Sequence, residues 1–276
     1  MTLLGRLWAA VRLVHPAPTL AVTALSGALG AILLNQAGRG LDERWLATVG
    51  AVLGSQIFTG ATNDLVDRSR DLAAARLEKP LAAGDLSPEG ALWVASLGLG
   101  LQLAASLRIG ELALVLGLVA VASALLYNVW LSRTPWSVLP YLVSFGVLPL
   151  WVAAGVGVPI ERVAVAPLLV GPFAAAAHLA NTLRDFDGDR AIGSRNLAQL
   201  LGRTASFRLA WVLAMAVGVG VGLAFAIGGR VEPVGGALGV IGLVAVAQGY
   251  AGSNRLWGGM LVAAVCWTAA WALGSG

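Results

Sequence analysis

Two short segments of this 276-residue chain carry aspartates at a spacing that could hold a metal ion. The first reads Asn63-Asp64-Leu65-Val66-Asp67-Arg68-Ser69-Arg70-Asp71, and the second Asn181-Thr182-Leu183-Arg184-Asp185-Phe186-Asp187-Gly188-Asp189. Aligned on their asparagines, Leu65 matches Leu183, Asp67 matches Asp185 and Asp71 matches Asp189, so N-x-L-x-D-x-x-x-D occurs twice, 118 residues apart. If each segment continues a helix, residues i, i+4 and i+8 share a face. Asn63, Asp67 and Asp71 are then one row of oxygen ligands, and Asn181, Asp185 and Asp189 another. Like charges at that spacing repel, and a divalent cation offsets the repulsion. Carboxylate and amide oxygens without histidine or thiolate suit Mg²⁺, Mn²⁺ or Ca²⁺ rather than zinc or copper. Mg²⁺ is usually held by one or two carboxylates together with substrate phosphates. Cations are interleaved with both rows: Arg68, Arg70, Arg76 and Lys79 beside the first, Arg184, Arg190 and Arg195 beside the second. A diphosphate bridged through Mg²⁺ and clamped by Arg or Lys is the chemistry this pattern supports. Two solvated loops of mixed charge are the plain alternative, and the matched repetition argues against it. A calcium loop is excluded, because its sixth and twelfth positions need glycine and glutamate and hold Arg190 and Asn196.

The elements that must position these rows are apolar. Hydrophobic residues make up 58% of the chain and charged residues 12%, about half of what a soluble domain needs to cover its surface. An ordinary soluble protein is thereby excluded. Runs of roughly 20 apolar residues, each able to cross about 30 Å of hydrocarbon, predict nine membrane helices near 16–35, 45–63, 89–107, 111–130, 138–157, 163–182, 205–228, 233–251 and 256–273. The chain reads as an all-α, polytopic membrane protein forming a single domain over residues 1–276. The first run lacks a cleavage site and reads as a retained helix. Thirteen of the 18 basic residues fall on the side of the N-terminus, against Arg39, Arg44, Arg108, Arg162 and Arg230 on the other. The positive-inside rule then puts the N-terminus in the cytoplasm and, with nine spans, the C-terminus outside. Nine of the 14 acidic residues lie in the two aspartate loops, both on the cytoplasmic side. The net charge of +4 is what loops facing anionic membrane lipid require and calls for no nucleic acid. Cys266, the single cysteine, lies in an apolar run, so neither a disulfide framework nor a thiolate metal site is available.

The paired segments resemble those of the UbiA superfamily of intramembrane prenyltransferases, which carry N-D-x-x-D-x-x-x-D after the second of nine transmembrane helices and D-x-x-x-D after the sixth. Asn63, Asp64, Asp67 and Asp71 match the first motif, and Asp185 and Asp189 the second. Lys79-Pro80-Leu81-Ala82-Ala83-Gly84 looks like the family's R-P-L-A-S-G, and Asp189-Arg190-Ala191-Ile192-Gly193-Ser194-Arg195-Asn196-Leu197-Ala198 looks like its D-R-x-x-G-K-R-T-L-A. Leu126-Tyr127 stands where the family has L-Y, and Arg12 and His15 before Pro16 resemble the cationic start of its first helix. The resemblance covers about residues 12–208. Two departures stand out. Leu131 and Ser132 occupy the places of a common lysine, with Arg133 the nearest cation, and Thr182 stands where many relatives have Asp or Asn.

The resemblance implies nine helices around a central cavity, in which Mg²⁺, with Mn²⁺ a possible substitute, promotes ionisation of a prenyl diphosphate and the allylic cation passes to an aromatic or other lipophilic acceptor. Asn63, Asp67, Asp71, Asp185 and Asp189 would hold the metal, the four aspartates being the catalytic set. Asn63, Arg68, Lys79, Asn181, Arg195, Arg133 and Tyr127 would hold the diphosphate. The four aspartates are then ligands at a polar cavity mouth rather than packing residues. Aromatic faces such as Tyr127, Trp130, Tyr141, Phe145 and Phe173 could stabilise the cation, or anchor at the membrane interface. His178, seven residues before Asp185, is an intramembrane ionisable group and so a functional candidate. Two other readings stay open: an intramembrane terpene cyclase that uses the same metal rows without an acceptor, and a transporter with repeated halves, which would place acids nearer mid-membrane.

Overall fold

A membrane interior offers no water to satisfy backbone N–H and C=O groups, so long apolar segments fold as helices. In the computed structural model, which describes residues 2–191, 193–228 and 233–273, every regular element among the described residues is helical. The chain forms two compact units, each built from two separate stretches: Met1–Val129 with Leu148–Arg162, and Trp130–Val147 with Val163–Gly276.

The first unit contains α1 (Leu3–Leu13), α2 (Pro16–Gln36), α3 (Glu43–Ala73), α4 (Pro80–Ala83), α5 (Pro88–Ile109) and α6 (Glu111–Val129). Helix α1 precedes the first run anticipated from the sequence. It is separated from α2 because Pro16 disfavours helical backbone at the residue before it, and His15 turns into the left-handed region at φ 52°. Helix α3 starts where the Asp42 carboxylate accepts from the Trp45 amide at 3.0 Å, an N-cap. Its 31 residues extend about 46 Å at 1.5 Å per residue, which exceeds the roughly 30 Å of a hydrocarbon core. The last turns, with the first aspartate row, therefore project beyond the apolar run. Gly54 and Gly98 seat α3 on α5: a Cβ on Gly54 would lie 2.6 Å from the Gln102 amide nitrogen and the Gly98 oxygen, so only glycine admits this backbone contact. At the other end of α3, Arg44 donates to the carbonyls of Ile109, Ala154 and Gly155, groups that helix ends leave unsatisfied.

Helix α7 (Leu139–Gly155) contributes its first part to the second unit and its last part to the first. The second unit continues with α8 (Pro167–Thr182), α9 (Phe186–Ala191), α10 (Leu197–Leu201), α11 (Arg203–Ile227), α12 (Pro233–Gln248) and α13 (Ser253–Leu273). Its core joins Leu179 and Ala180 of α8 to Ala210 and Ala214 of α11 and to Leu256, Met260 and Trp267 of α13.

Six helical segments among the described residues are long and apolar enough to cross a membrane: Pro16–Gln36, Pro88–Ile109, Glu111–Val129, Arg203–Ile227, Pro233–Ala251 and Ser253–Leu273. The other three anticipated spans are also helical but differ in kind. α7 and α8 have only 17 and 16 residues, and α3 dilutes its apolar run with Thr48, Ser55, Thr59 and Thr62. Large apolar side chains such as Leu92, Trp93 and Leu97 of α5 remain exposed, as a lipid-facing surface requires. Arg230, one of the charges used to orient the chain, and Ile192 of the second motif lie outside the described residues.

Candidate active site: two aspartate rows

The first row lies on the unbroken C-terminal turns of α3, so Asn63, Asp67 and Asp71 do share one face. Each of its acids is engaged by a nearby cation. Asp67 accepts from Arg70 at 3.0 Å. Asp71 accepts from Lys79 at 2.9 Å and lies 3.6 Å from Arg76. Lys79 also donates to Asp64 at 2.9 Å, bridging two carboxylates. Burial by itself would depress the Lys79 ammonium, yet Asp64 and Asp71 together outweigh it and hold its pKa above the ordinary lysine value of 10.5. Asp64 is 1% exposed and its Oδ1 also meets His15 Nε2 at 3.0 Å, while its Oδ2 has no hydrogen-bond partner. Asp71 is 4% exposed. That corrects the expectation that all four motif aspartates are mere rim ligands, because Asp71 is also packed and ion-paired.

Lys79 is aimed by the motif that follows it. Pro80 begins α4, and Gly84, in the left-handed region at φ 76°, ends it, with the Asp85 amide donating back to Pro80 at 2.9 Å. Leu81 of this turn packs with Leu13, Ala61, Ala91 and Ala95. Arg12 pairs with Asp85 and donates to the Glu78 carbonyl, which ties α1 to the same loop. Asn63 Nδ2 donates to Asn128 Oδ1 at 3.3 Å, and buried Asn128 in turn donates to the Thr59 carbonyl and the Thr62 hydroxyl, both at 3.0 Å. Tyr127, one residue earlier on the last turn of α6, is half-buried, and Arg68 is exposed.

The second row is built differently. Helix α8 stops at Thr182 and α9 begins at Phe186, so Asn181, Asp185 and Asp189 do not form one continuous stripe. The Thr182 hydroxyl donates to the Leu179 carbonyl at 2.9 Å and the Arg184 amide bonds to Asn181 at 3.0 Å, tightening the last turn as helix ends do. Buried Leu183, Phe186 and Ala198 anchor the turn, and Arg203 lies 4.8 Å over the Phe186 ring while bonding Asp187 at 2.8 Å. Asn181 and Asp185 are exposed, and Asp189 is half-buried. Buried Asn196 donates to Asp189 Oδ2 at 2.9 Å while its own side-chain oxygen caps α10 at Gln199. Exposed Arg195 and Arg133 meet through their backbones, the Arg195 amide donating to the Arg133 carbonyl at 3.3 Å.

Among the aromatic candidates, Tyr141 stacks between Phe145 and His178, with ring centroids at 6.1 and 4.3 Å. Phe173 packs edge-on against Trp267, 5.3 Å away, and Trp130 is exposed. Asp64, Asn128 and Asn196 are the residues that pattern-matching passed over as functional. The first lies inside the quoted motif, the second follows the quoted tyrosine, and the third stands in the quoted R-N-L-A stretch.

Among the described residues, no three His, Cys, Asp or Glu side chains converge as a metal cage. Each row offers two carboxylates and an amide, an all-oxygen set of the number Mg²⁺ takes from a protein when phosphates complete its shell. The donor chemistry therefore fits Mg²⁺ carried with a diphosphate.

Residues 1–256 match the UbiA prenyltransferase family, and the chain belongs to it. It is therefore a prenyltransferase-family enzyme and, with its six long apolar helices, an integral membrane protein. No curated protein matches the chain by sequence. Among solved structures it is similar to digeranylgeranylglyceryl phosphate synthase, at 18% identity and a TM-score of 0.76, covering 97% of this chain and 99% of that one. A UbiA homolog from Aeropyrum pernix K1 in its apo form has 19% identity and a TM-score of 0.70, covering 90% and 96%. A UbiA homolog from Archaeoglobus fulgidus bound to GPP and Mg²⁺ has 14% identity and a TM-score of 0.72, covering 97% and 100%. The same homolog has also been solved with DMAPP and Mg²⁺. At these identities the structures establish the fold.

Proposed function

We propose that this enzyme transfers an isoprenyl group from a prenyl diphosphate to an aromatic or other lipophilic acceptor within the membrane, with Mg²⁺ as the natural metal and Mn²⁺ as a substitute. The observation that carries this reading is the first acid row set among cations, Asp67 and Asp71 beside Arg70, Arg76 and Lys79, matched by a second row in which Asp189 is bonded by Asn196 and the Ser194 amide, the residues on either side of Arg195. The four aspartates with Asn63 are the metal ligands, and Asn63, Arg68, Lys79, Asn181, Arg195, Arg133 and Tyr127 hold the diphosphate. When bound, the metal supplies a positive charge that stabilises the leaving diphosphate. The chain's own cations do the same at the oxygens that gain negative charge. Apolar helices exclude water from the allylic cation, and Tyr127 offers an aromatic face to it. We read nine spans around a central cavity in a single domain. The N-terminus and both aspartate segments open to the cytoplasm, and the C-terminus lies outside.

The test uses purified protein, Mg²⁺ and radiolabelled prenyl diphosphates of different lengths, first alone and then with an acceptor panel. A conjugate that forms only with an acceptor is the expected result. Cyclic hydrocarbon formed without an acceptor would replace transfer by cyclisation at the same rows, and no Mg²⁺-dependent consumption of any prenyl diphosphate would remove the reading altogether.

A further inference from the structure

In the first row, the carboxylates assigned to the metal are already paired with nearby cations, one of which, Lys79, is assigned to the diphosphate. Arg70 bonds Asp67 at 3.0 Å, Lys79 bonds Asp71 at 2.9 Å, and Arg76 stands 3.6 Å from the other Asp71 oxygen. A divalent ion arriving alone would have to displace these cations and leave them uncompensated near its own charge. A diphosphate arriving alone would meet carboxylates that already occupy the cations. Arriving together, metal and diphosphate give each partner a new counter-ion.

We propose that the first row is a charge-exchange site, in which Arg70, Arg76 and Lys79 hold Asp67 and Asp71 in ion pairs until metal and diphosphate enter together. The cations then pass to phosphate oxygens and the carboxylates to the metal. No covalent bond changes in this step. Asp64 is the positioning residue that makes it work. It is 1% exposed and bonds Lys79 at 2.9 Å independently of Asp71, so Lys79 can release Asp71 without leaving the site. His15, on the same Asp64 oxygen, braces that anchor from the α1–α2 junction. The consequence is strong positive coupling: metal and diphosphate each raise the affinity for the other by the same factor. This inference rests on the proposed function, because it assumes that the ligand is a prenyl diphosphate.

The test measures binding rather than turnover. Mn²⁺ serves as a paramagnetic probe, and free Mn²⁺ is followed by electron paramagnetic resonance in titrations of the full-length protein, with and without an unreactive prenyl thiolodiphosphate. The wild type should bind Mn²⁺ at least tenfold more tightly with the analogue present. Lys79→Met should bind Mn²⁺ alone several-fold more tightly than wild type, bind the analogue more weakly, and lose most of the coupling. Arg70→Gln, at a part-exposed pair that packing does not depend on, should shift both affinities in the same directions to a smaller extent, and keeps the test decisive if Lys79→Met does not fold. Asp64→Asn should weaken binding of the analogue while leaving metal-only affinity within about twofold. Equal Mn²⁺ affinity with and without the analogue, or unchanged metal-only affinity in both Lys79→Met and Arg70→Gln, would overturn the exchange. If turnover of a prenyl diphosphate still required Mg²⁺ in that case, only this inference would fall. If neither Mn²⁺ nor the analogue bound, the proposed function would fall with it.

Discussion

On α3, an asparagine and two aspartates occupy consecutive turns of one helix and are ringed by Arg70, Arg76 and Lys79. The matching residues after α8 straddle a break, and Asp189 accepts from the amide of Asn196. Asp71 is buried whereas Asp185 is exposed. A repeated residue pattern can thus take two local structures. The first row is also a structural ion-pair network that fastens the α4 loop to α3, while the second is a surface turn whose shape comes from Leu183, Phe186 and Ala198 underneath it. An acidic row bound into packing is preorganised but costly to alter. One set on an exposed turn can change with little effect on the fold.

The sharpest way to break that contrast is to remove the acids. Asp67→Ala, Asp71→Ala, Asp185→Ala and Asp189→Ala should each lower turnover by about 100-fold or more, the scale of losing a group that stabilises developing charge. They should then separate by stability. Asp185→Ala should unfold in detergent like the wild type, whereas Asp71→Ala leaves Lys79 with one counter-ion instead of two and should lose about 2–3 kcal/mol, somewhat less than a fully orphaned buried charge. Near-normal turnover in any two of the four, or equal stability of the Asp71 and Asp185 variants, contradicts the assignment.

Metal exchange comes next. EDTA should abolish activity, and added Mg²⁺ or Mn²⁺ should restore it while zinc does not, because both rows present only oxygen. Full turnover in a metal-free preparation would remove the role given to both rows.

Topology tests whether the two rows can serve one substrate. Single cysteines at Ser69 and Ser194 in a Cys266→Ala background should react with an impermeant maleimide from the cytoplasmic face only, and one at Gly40 from the outer face only. Reaction of the first two from opposite faces would mean that the rows cannot share a diphosphate.

The smallest effect concerns pH. Since Asp64 and Asp71 raise the Lys79 pKa above 10.5, its ion pairs contribute fully below that value and are lost only as pH rises through the higher folded value. Thermal stability in detergent should therefore show no Lys79-dependent decline between about pH 6 and 9. A decline in that interval that Lys79→Met eliminates would place the lysine in a different environment.

Much of this protein was legible in its residues. Runs too apolar for water had to become helices, and the nine anticipated spans correspond to α2, α3, α5, α6, α7, α8, α11, α12 and α13, although only six of the resulting segments are long and apolar enough to cross a membrane unaided. The doubled N-x-L-x-D-x-x-x-D pattern and its neighbouring cations were visible as residues, and oxygen-only donors beside cations suit a hard metal and an anionic partner. What sequence spacing could not decide was whether each pattern stays on one helix. That depended on contacts distant in the chain: the last turns of α3 are tied to the α4 loop by Lys79 at Asp64 and Asp71, while the turn after α8 is set by burial of Leu183 and Phe186 against Ala198. The roles of Asp64, Asn128 and Asn196 were hidden for the same reason. Asp64 adjoins Asn63 in sequence but points to a lysine 15 residues on and a histidine 49 residues back. Such pairings arise only when folding brings those charges together and removes the water that would otherwise separate them.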